Sequence, residues 1–238
     1  MRIRRIHGFV AGCLIGASVV TLPPAAASAG EFQTSIGGLT FRAPVVSLRE
    51  ARFQTVIRQQ YDYSCGSAAI ASLLTYHYDR PTTEAEVFTV MYEAGDQEKI
   101  RRQGFSLLDM KKYLEGRGLR ADGFKMSLET LAELGVPAIT LINTGGYLHF
   151  VVIKGIAEGE VVIGDPALGV RIMRLEDFEA VWHGGIVFLI REEADLARKY
   201  FNHQRDWRVR QKAPLGTALT RDALANFTLL STFMHNEF

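Results

Sequence analysis

Cys65 stands in the run Gln59-Gln60-Tyr61-Asp62-Tyr63-Ser64-Cys65-Gly66-Ser67-Ala68-Ala69. The chain has two cysteines, and the other, Cys13, lies in an N-terminal stretch that reads as a removable signal. With that stretch gone, Cys65 has no partner for an internal disulfide, so its presence calls for another reason. His149 follows, and Asp165-Pro166 begins sixteen positions later. A thiol, an imidazole and a carboxylate together can perform nucleophilic acyl transfer. The thiolate attacks an acyl carbon, the imidazole moves the proton, and the carboxylate fixes the ring.

The surrounding residues supply what such chemistry needs. A free thiol ionises near ~8.5, and a helix N-terminus beside an imidazolium lowers that value. Cys65 lies immediately before an apolar helix expected over Ser67–His77, whose unpaired N–H groups would point toward its sulfur. Gly66 is expected to clear space for a substrate backbone. His149 falls in an apolar strand expected over Tyr147–Ile156, and Asp165 closes the next strand of a hairpin. Antiparallel pairing brings that end back toward His149. Pro166 stiffens the turn. The oxyanion of the tetrahedral intermediate needs two donors. The Cys65 N–H is one, and the side-chain amide of Gln59, six residues upstream, is the natural second, with Gln60 as its competitor. Singly, each residue has a plainer explanation: an inert thiol, a core histidine, a turn-forming aspartate. Their combination and order carry the reading. His77 and His183 read as structural or surface residues, His203 and His235 lie outside the core, and no His/Cys pair has zinc-ligand spacing.

Several elements must position these groups. Residues 30–49 form a lead-in, with a strand or extended arm over Phe41–Leu48. Thr83 and Glu86 look like a capping box opening a helix to about Ala94, and Ser106 with Asp109 opens another that ends at Gly116 or Gly118. A short helix follows over Ser127–Leu134. The pattern then changes to strands: Val136–Ile142, Tyr147–Ile156, Glu160–Ile163, Val170–Arg174 and Gly185–Ile190, with a helical turn at Leu175–Trp182. Helices first and an antiparallel sheet afterwards is an α+β plan. Asn143–Gly146 is expected to form a lip beside His149. The core domain is placed at 50–192. A charged helix over Arg191–Gln204 and a weakly apolar pattern at Leu224–Phe233 make up a C-terminal helical tail, 193–238.

The first 29 residues carry Arg2, Arg4 and Arg5, an apolar stretch Gly8–Val20, and a small-x-small site at Ala27-Ser28-Ala29, so the mature chain is expected to start at Gly30. An uncleaved anchor and a lipoprotein box at Val10-Ala11-Gly12-Cys13 are the competing readings. The apolar stretch is shorter than the ~20 residues a spanning helix needs. Loss of those three arginines leaves 24 basic against 26 acidic residues, a formal charge of about −2. Nothing in that balance points to nucleic acid or to an anionic lipid surface, and no stable membrane span is expected after signal cleavage. A periplasmic or secreted location in a bacterial envelope is expected.

Gln59, Cys65-Gly66 with its small-residue helix, His149 in an apolar strand, and Asp165-Pro166 together resemble the peptidase C39 family. This papain-like group is best known as the leader-cleaving domain of bacteriocin-exporting ABC transporters. The resemblance covers about residues 55–190. It implies a papain-like fold, with helices packed on a C-terminal antiparallel sheet, and a cysteine endopeptidase. In that reading Cys65 is the nucleophile, His149 the acid and base, Asp165 its orienting partner, and Gln59 rather than Gln60 the oxyanion donor. No cofactor is implied; a peptide or protein is the expected substrate. Many members carry Asp directly before the cysteine, where this chain has Ser64. It also lacks a transporter's membrane bundle and nucleotide-binding loop, so it resembles a free-standing exported member, and leader cleavage is not carried over. Such members occur beside export systems for surface fibres, including functional amyloid, which makes an export system an expected partner. Two rival readings stand beside this one: a non-catalytic peptide-binding module, and a thiol amidase or transpeptidase acting on cell-wall peptides.

Overall fold

The computed structural model describes residues 30–36, 39–45 and 47–209. The expected signal, Cys13, His235 and the pattern at 224–233 lie outside these residues. Strands β1 (Gly30–Ile36) and β2 (Leu39–Val45) pair antiparallel as a hairpin, which forms a compact unit by itself.

The second unit starts at Ser47. It opens with α1 (Leu48–Arg52), α2 (Cys65–His77), α3 (Glu84–Ala94), α4 (Gln97–Gln103) and α5 (Leu107–Gly116). Then come β3 (Ala121–Lys125), α6 (Leu128–Leu134), β4 (Ala138–Thr144), β5 (Tyr147–Ala157), β6 (Glu160–Asp165), β7 (Gly169–Arg174), α7 (Leu175–Val181) and β8 (Trp182–Ile190). The short helices α8 (Ala194–Tyr200) and α9 (Gln204–Trp207) end the described chain. The six later strands form one antiparallel sheet in the order β3-β8-β4-β5-β6-β7. This is the α+β plan, with the N-terminal helices packed on the C-terminal sheet.

Helix α2 is apolar or small-sided nearly all round, and such a helix must be buried. Ala68, Ala69, Ile70, Ala71 and Leu73 are wholly inaccessible. It packs on β5 and is flanked by α3, α5 and α8. Residues 149–155 of β5 are all buried, so this central strand is covered on both faces. Hydroxyl or carboxylate side chains cap the starts of α1, α3, α4, α5 and α6. Thr83 accepts from Glu86 N, and Ser106 with Asp109 forms a complete capping box. The reciprocal half expected at Thr83 is not made, because Glu86 pairs with Arg117 instead.

Several elements differ from the sequence expectation. Helix α2 begins at Cys65 itself rather than at Ser67. Helix α4 had no visible apolar period because only Ile100 is buried in it. Strand β3 is an edge strand that buries only Ala121, so it has no alternation to reveal it. The single charged helix expected over Arg191–Gln204 is two helices, broken where Asn202 takes φ 56°. Asn tolerates this left-handed conformation, and here it lets the Asn202 N–H donate to Lys154 O and Nδ2 donate to Ile156 O. Ala197 and Phe201 join the main core, so residues 194–207 pack into the same body as the sheet.

Candidate active site

The approach to Cys65 is a tight loop. Ser64 is wholly buried. Its hydroxyl accepts from Tyr61 N at 3.1 Å and donates to Tyr61 O at 3.0 Å, so it closes the loop instead of capping α2. Cys65 is the first residue of the helix. Its N–H is therefore one of the orphan donors of a helix start, in the positive end of the helix dipole. Tyr61 and Tyr63 stack on each other and pack with Phe88 of α3, anchoring the loop.

Gly66 has a different role from the one expected. A Cβ there would lie 2.7 Å from Met110 Cε and 3.1 Å from Phe105 Cβ. The missing side chain lets α2 pack against α5 and the turn before it; it does not make room for a substrate.

Strand β5 delivers His149. The β4–β5 hairpin closes through Gly145 (φ 61°) and Gly146 (φ 92°), a two-residue turn of the kind that fits the twist of paired strands. Asn143 Oδ1 accepts from Gly146 N at 2.8 Å, so the lip is a pinned turn. Strand β6 delivers Asp165, whose Oδ1 lies 2.8 Å from His149 Nε2 with both residues buried.

The carboxylate has further support. Its Oδ1 accepts from Ala167 N (2.8 Å) and Leu168 N (3.2 Å), and Arg171 Nη1 lies 3.4 Å from Oδ2. Gly169 holds φ 81°, and a Cβ there would sit 2.7 Å from Arg52 O, so only glycine lets α1 lie against this turn.

The electrostatics follow from that arrangement. Burial disfavours a charged imidazole at His149. The Asp165 hydrogen bond, then Cys65, then the charges of both outweigh it and raise the ring's pKa to about 9. Burial likewise works against ionising Asp165, yet His149 and the two backbone N–H groups hold its carboxyl below the usual range. His149 Nδ1 is buried and makes no conventional hydrogen bond. With Nε2 committed to Asp165, Nδ1 is the nitrogen left to serve Cys65. Such an arrangement can hold a thiolate–imidazolium pair and pass a proton through one ring nitrogen.

Gln59 adjoins the same turn, since its backbone N–H donates to Pro166 O at 3.0 Å. Its Nε2 donates to Tyr61 O at 3.0 Å and reaches Asp62 O at 3.5 Å. Gln60 is exposed. His77 is buried inside α2, and burial, then Lys154 and His203, push its pKa well below the ordinary value. His203 caps α9, accepting from Arg205 N.

Cys65 opens onto a groove of about 820 Å³. It is lined by Phe105 of the α4–α5 turn, Leu107 and Leu108 at the start of α5, and Leu141 and Leu148 of the sheet. Arg101, Arg102 and His183 also line it. Arg171 and Tyr147 escaped the sequence reading. Arg171 reaches Asp165 only through the β6–β7 pairing, and Tyr147 looked like an ordinary strand residue.

The sequence pattern of the peptidase C39 family matches residues 54–194. The chain is 40% identical over 161 residues to the probable functional amyloid protease FapD of Pseudomonas fluorescens, covering 68% of this chain and 71% of that protein. It is 41% identical over 172 residues to its counterpart in Pseudomonas aeruginosa, covering 72% and 75%. Among solved structures, the peptidase domain of Streptococcus ComA, a bifunctional ABC transporter involved in quorum sensing, is 23% identical. It covers 57% of this chain and 96% of that one, with a TM-score of 0.49. A double glycine motif protease from an AMS/PCAT transporter, in complex with leader peptide, is 28% identical and covers 57% and 89%, with a TM-score of 0.47.

Proposed function

The chain belongs to the peptidase C39 family and is a cysteine peptidase, and from that premise we propose that it is an exported endopeptidase working through Cys65, His149, Asp165 and Gln59. The observation that carries this reading is the buried His149–Asp165 pair, with Nε2 engaged at 2.8 Å and Nδ1 left for Cys65.

In the proposed reaction the Cys65 thiolate attacks the scissile carbonyl carbon and the carbonyl electron pair moves to oxygen. The Cys65 N–H and the Gln59 amide receive that oxyanion. Collapse breaks the C–N bond while His149 Nδ1 protonates the leaving amine, giving a thioester. Water, losing a proton to Nδ1, attacks the thioester. The second collapse releases the carboxylate and restores the thiolate–imidazolium pair. Asp165 stays ionised throughout, holding the ring so that Nδ1 faces sulfur.

Export rests on the signal features of residues 1–29. The similarity to two proteins named for functional amyloid supports service to an envelope or surface-fibre export system. A test incubates the purified mature chain with unfolded casein and with peptidoglycan fragments, and reads product masses. New peptide termini from casein, lost in Cys65→Ala and in His149→Ala, are expected. Cleavage restricted to peptidoglycan would favour the amidase reading. Binding of casein without cleavage, unchanged in Cys65→Ala, would favour a peptide-binding module. N-terminal sequencing of the protein from an envelope fraction should give Gly30.

A further inference from the structure

Tyr147 is the first residue of β5, two positions before His149, and so lies on the same face of the strand. Its ring stacks on the imidazole at 5.9 Å with a 27° tilt. Its hydroxyl donates to Asp62 O at 2.6 Å, linking β5 to the loop that leads into Cys65. The residue remains half exposed (51%), with the groove as its surroundings. Burial first, then the neighbouring Cys65, Asp62 and Asp165, hold the phenol above its ordinary pKa, so it stays a donor.

The acceptor it chooses is informative. The Gln59 amide has two N–H groups: one donates to Tyr61 O at 3.0 Å, and the other reaches Asp62 O only at 3.5 Å. Ser64 fixes the Tyr61 end from within the loop. Asp62 is exposed, and the short bond to its carbonyl comes from Tyr147 of β5. Cutting that bond leaves Asp62 O free to capture the second Gln59 N–H, the one an oxyanion needs, without touching the thiol or the imidazole.

Resting on the assignment of Cys65 as nucleophile and Gln59 as oxyanion donor, we infer that Tyr147 is a positioning residue whose hydroxyl, by occupying Asp62 O, keeps the second Gln59 N–H available to the oxyanion. Its ring is a wall beside His149; its hydroxyl is the working part.

The test compares two reactions of Cys65 in the full chain. In acyl transfer from p-nitrophenyl acetate, Sγ bonds to the acetyl carbon, the ester C–O bond breaks and p-nitrophenolate leaves, by way of an oxyanion. Alkylation by iodoacetamide expels iodide and forms no oxyanion. Tyr147→Phe, which keeps the ring, is expected to slow acylation about tenfold and to leave alkylation within about twofold, while Gln59→Ala slows acylation about 10²-fold. In the Gln59→Ala background, Tyr147→Phe should add less than about twofold, because the two act as one unit. Equal slowing of both reactions, no slowing of either, or full additivity with Gln59→Ala overturns the inference. Acylation that persists in Cys65→Ala removes the underlying assignment, and the inference with it. Acylation that depends on Cys65 and Gln59 yet ignores Tyr147→Phe defeats this inference alone.

Discussion

Replacing Asp165 with Asn removes a negative charge from the far side of the imidazole while keeping the side chain's size. In the wild-type site the imidazolium is favoured by the difference between an ordinary pKa of 6.5 and one of about 9, worth about 3 kcal/mol. Burial opposes that preference. Asp165 supplies the largest opposing contribution, ahead of Cys65. Without its charge the ring must lose its proton at much lower pH. If the variant falls back to about 6.5, the protonated fraction at pH 7.5 drops from nearly all to about one tenth, a loss of about tenfold from protonation alone. Any loosening of the ring adds to this. The assay is the pH dependence of acyl transfer from p-nitrophenyl acetate, alongside an NMR titration of labelled histidine. The alkaline limb should stand near 9 in wild type and move about two pH units lower in Asp165→Asn. A limb that stays in place in the variant, or a wild-type imidazole that titrates near 6.5, would refute the reasoning, since the pair would then not be coupled.

The same pair makes stability depend on pH. His149 has a raised folded pKa, so its contribution is complete below about 6.5 and is lost as pH rises through about 9; urea midpoints at pH 6 and pH 9.5 should differ in that direction. Asp165 is held low, so its contribution is present above the ordinary carboxyl range and disappears as acid titrates the folded group. Lys154 is buried, with Nζ donating to Asp206 Oδ1 at 2.8 Å and to Thr55 Oγ1 at 2.7 Å. Asp206→Ala should therefore cost roughly 3–5 kcal/mol in denaturant unfolding, and pairing it with Lys154→Met should recover most of that; equal losses in both variants would contradict the buried-charge account. Gly169→Ala should lower stability by at least about 1–2 kcal/mol from backbone conformation alone, with the contact on Arg52 adding to it, and a melting temperature equal to wild type would show that the turn can move away.

What the sequence revealed of the site was what lies close along the chain or follows from pairing rules. Cys65 announced itself as a thiol with no disulfide partner once the expected signal is removed, standing just before a small-residue helix. His149 and Asp165 could be placed together because a hairpin of apolar strands returns the end of one strand beside the start of the other. Contacts made across the fold were hidden. Arg171 meets Asp165 through a strand pairing, and Tyr147 finds its acceptor 85 residues away. Gly66 was misread because a glycine beside a nucleophile suggests substrate access, whereas its true neighbours, Met110 and Phe105, come from a segment forty residues on. The broken C-terminal helix was equally hidden, since the reason for the break at Asn202 is the backbone of β5, far upstream.

The bond from Thr55 to Asp206 spans 151 residues, and Lys154 sits between them, gripped by both. A ribosome delivers Cys65, His149 and Asp165 well before it delivers Asp206. Until Asp206 arrives, closing the sheet over Lys154 would strand an ammonium group in the interior without its counter-charge. Loop closure over such a distance is also a late event in folding. A nascent chain ending at residue 190 should thus remain sensitive to pulse proteolysis, whereas one extended past 209 resists it. The counter-ion that Lys154 needs is thus contributed from a point in the chain beyond Cys65, His149 and Asp165.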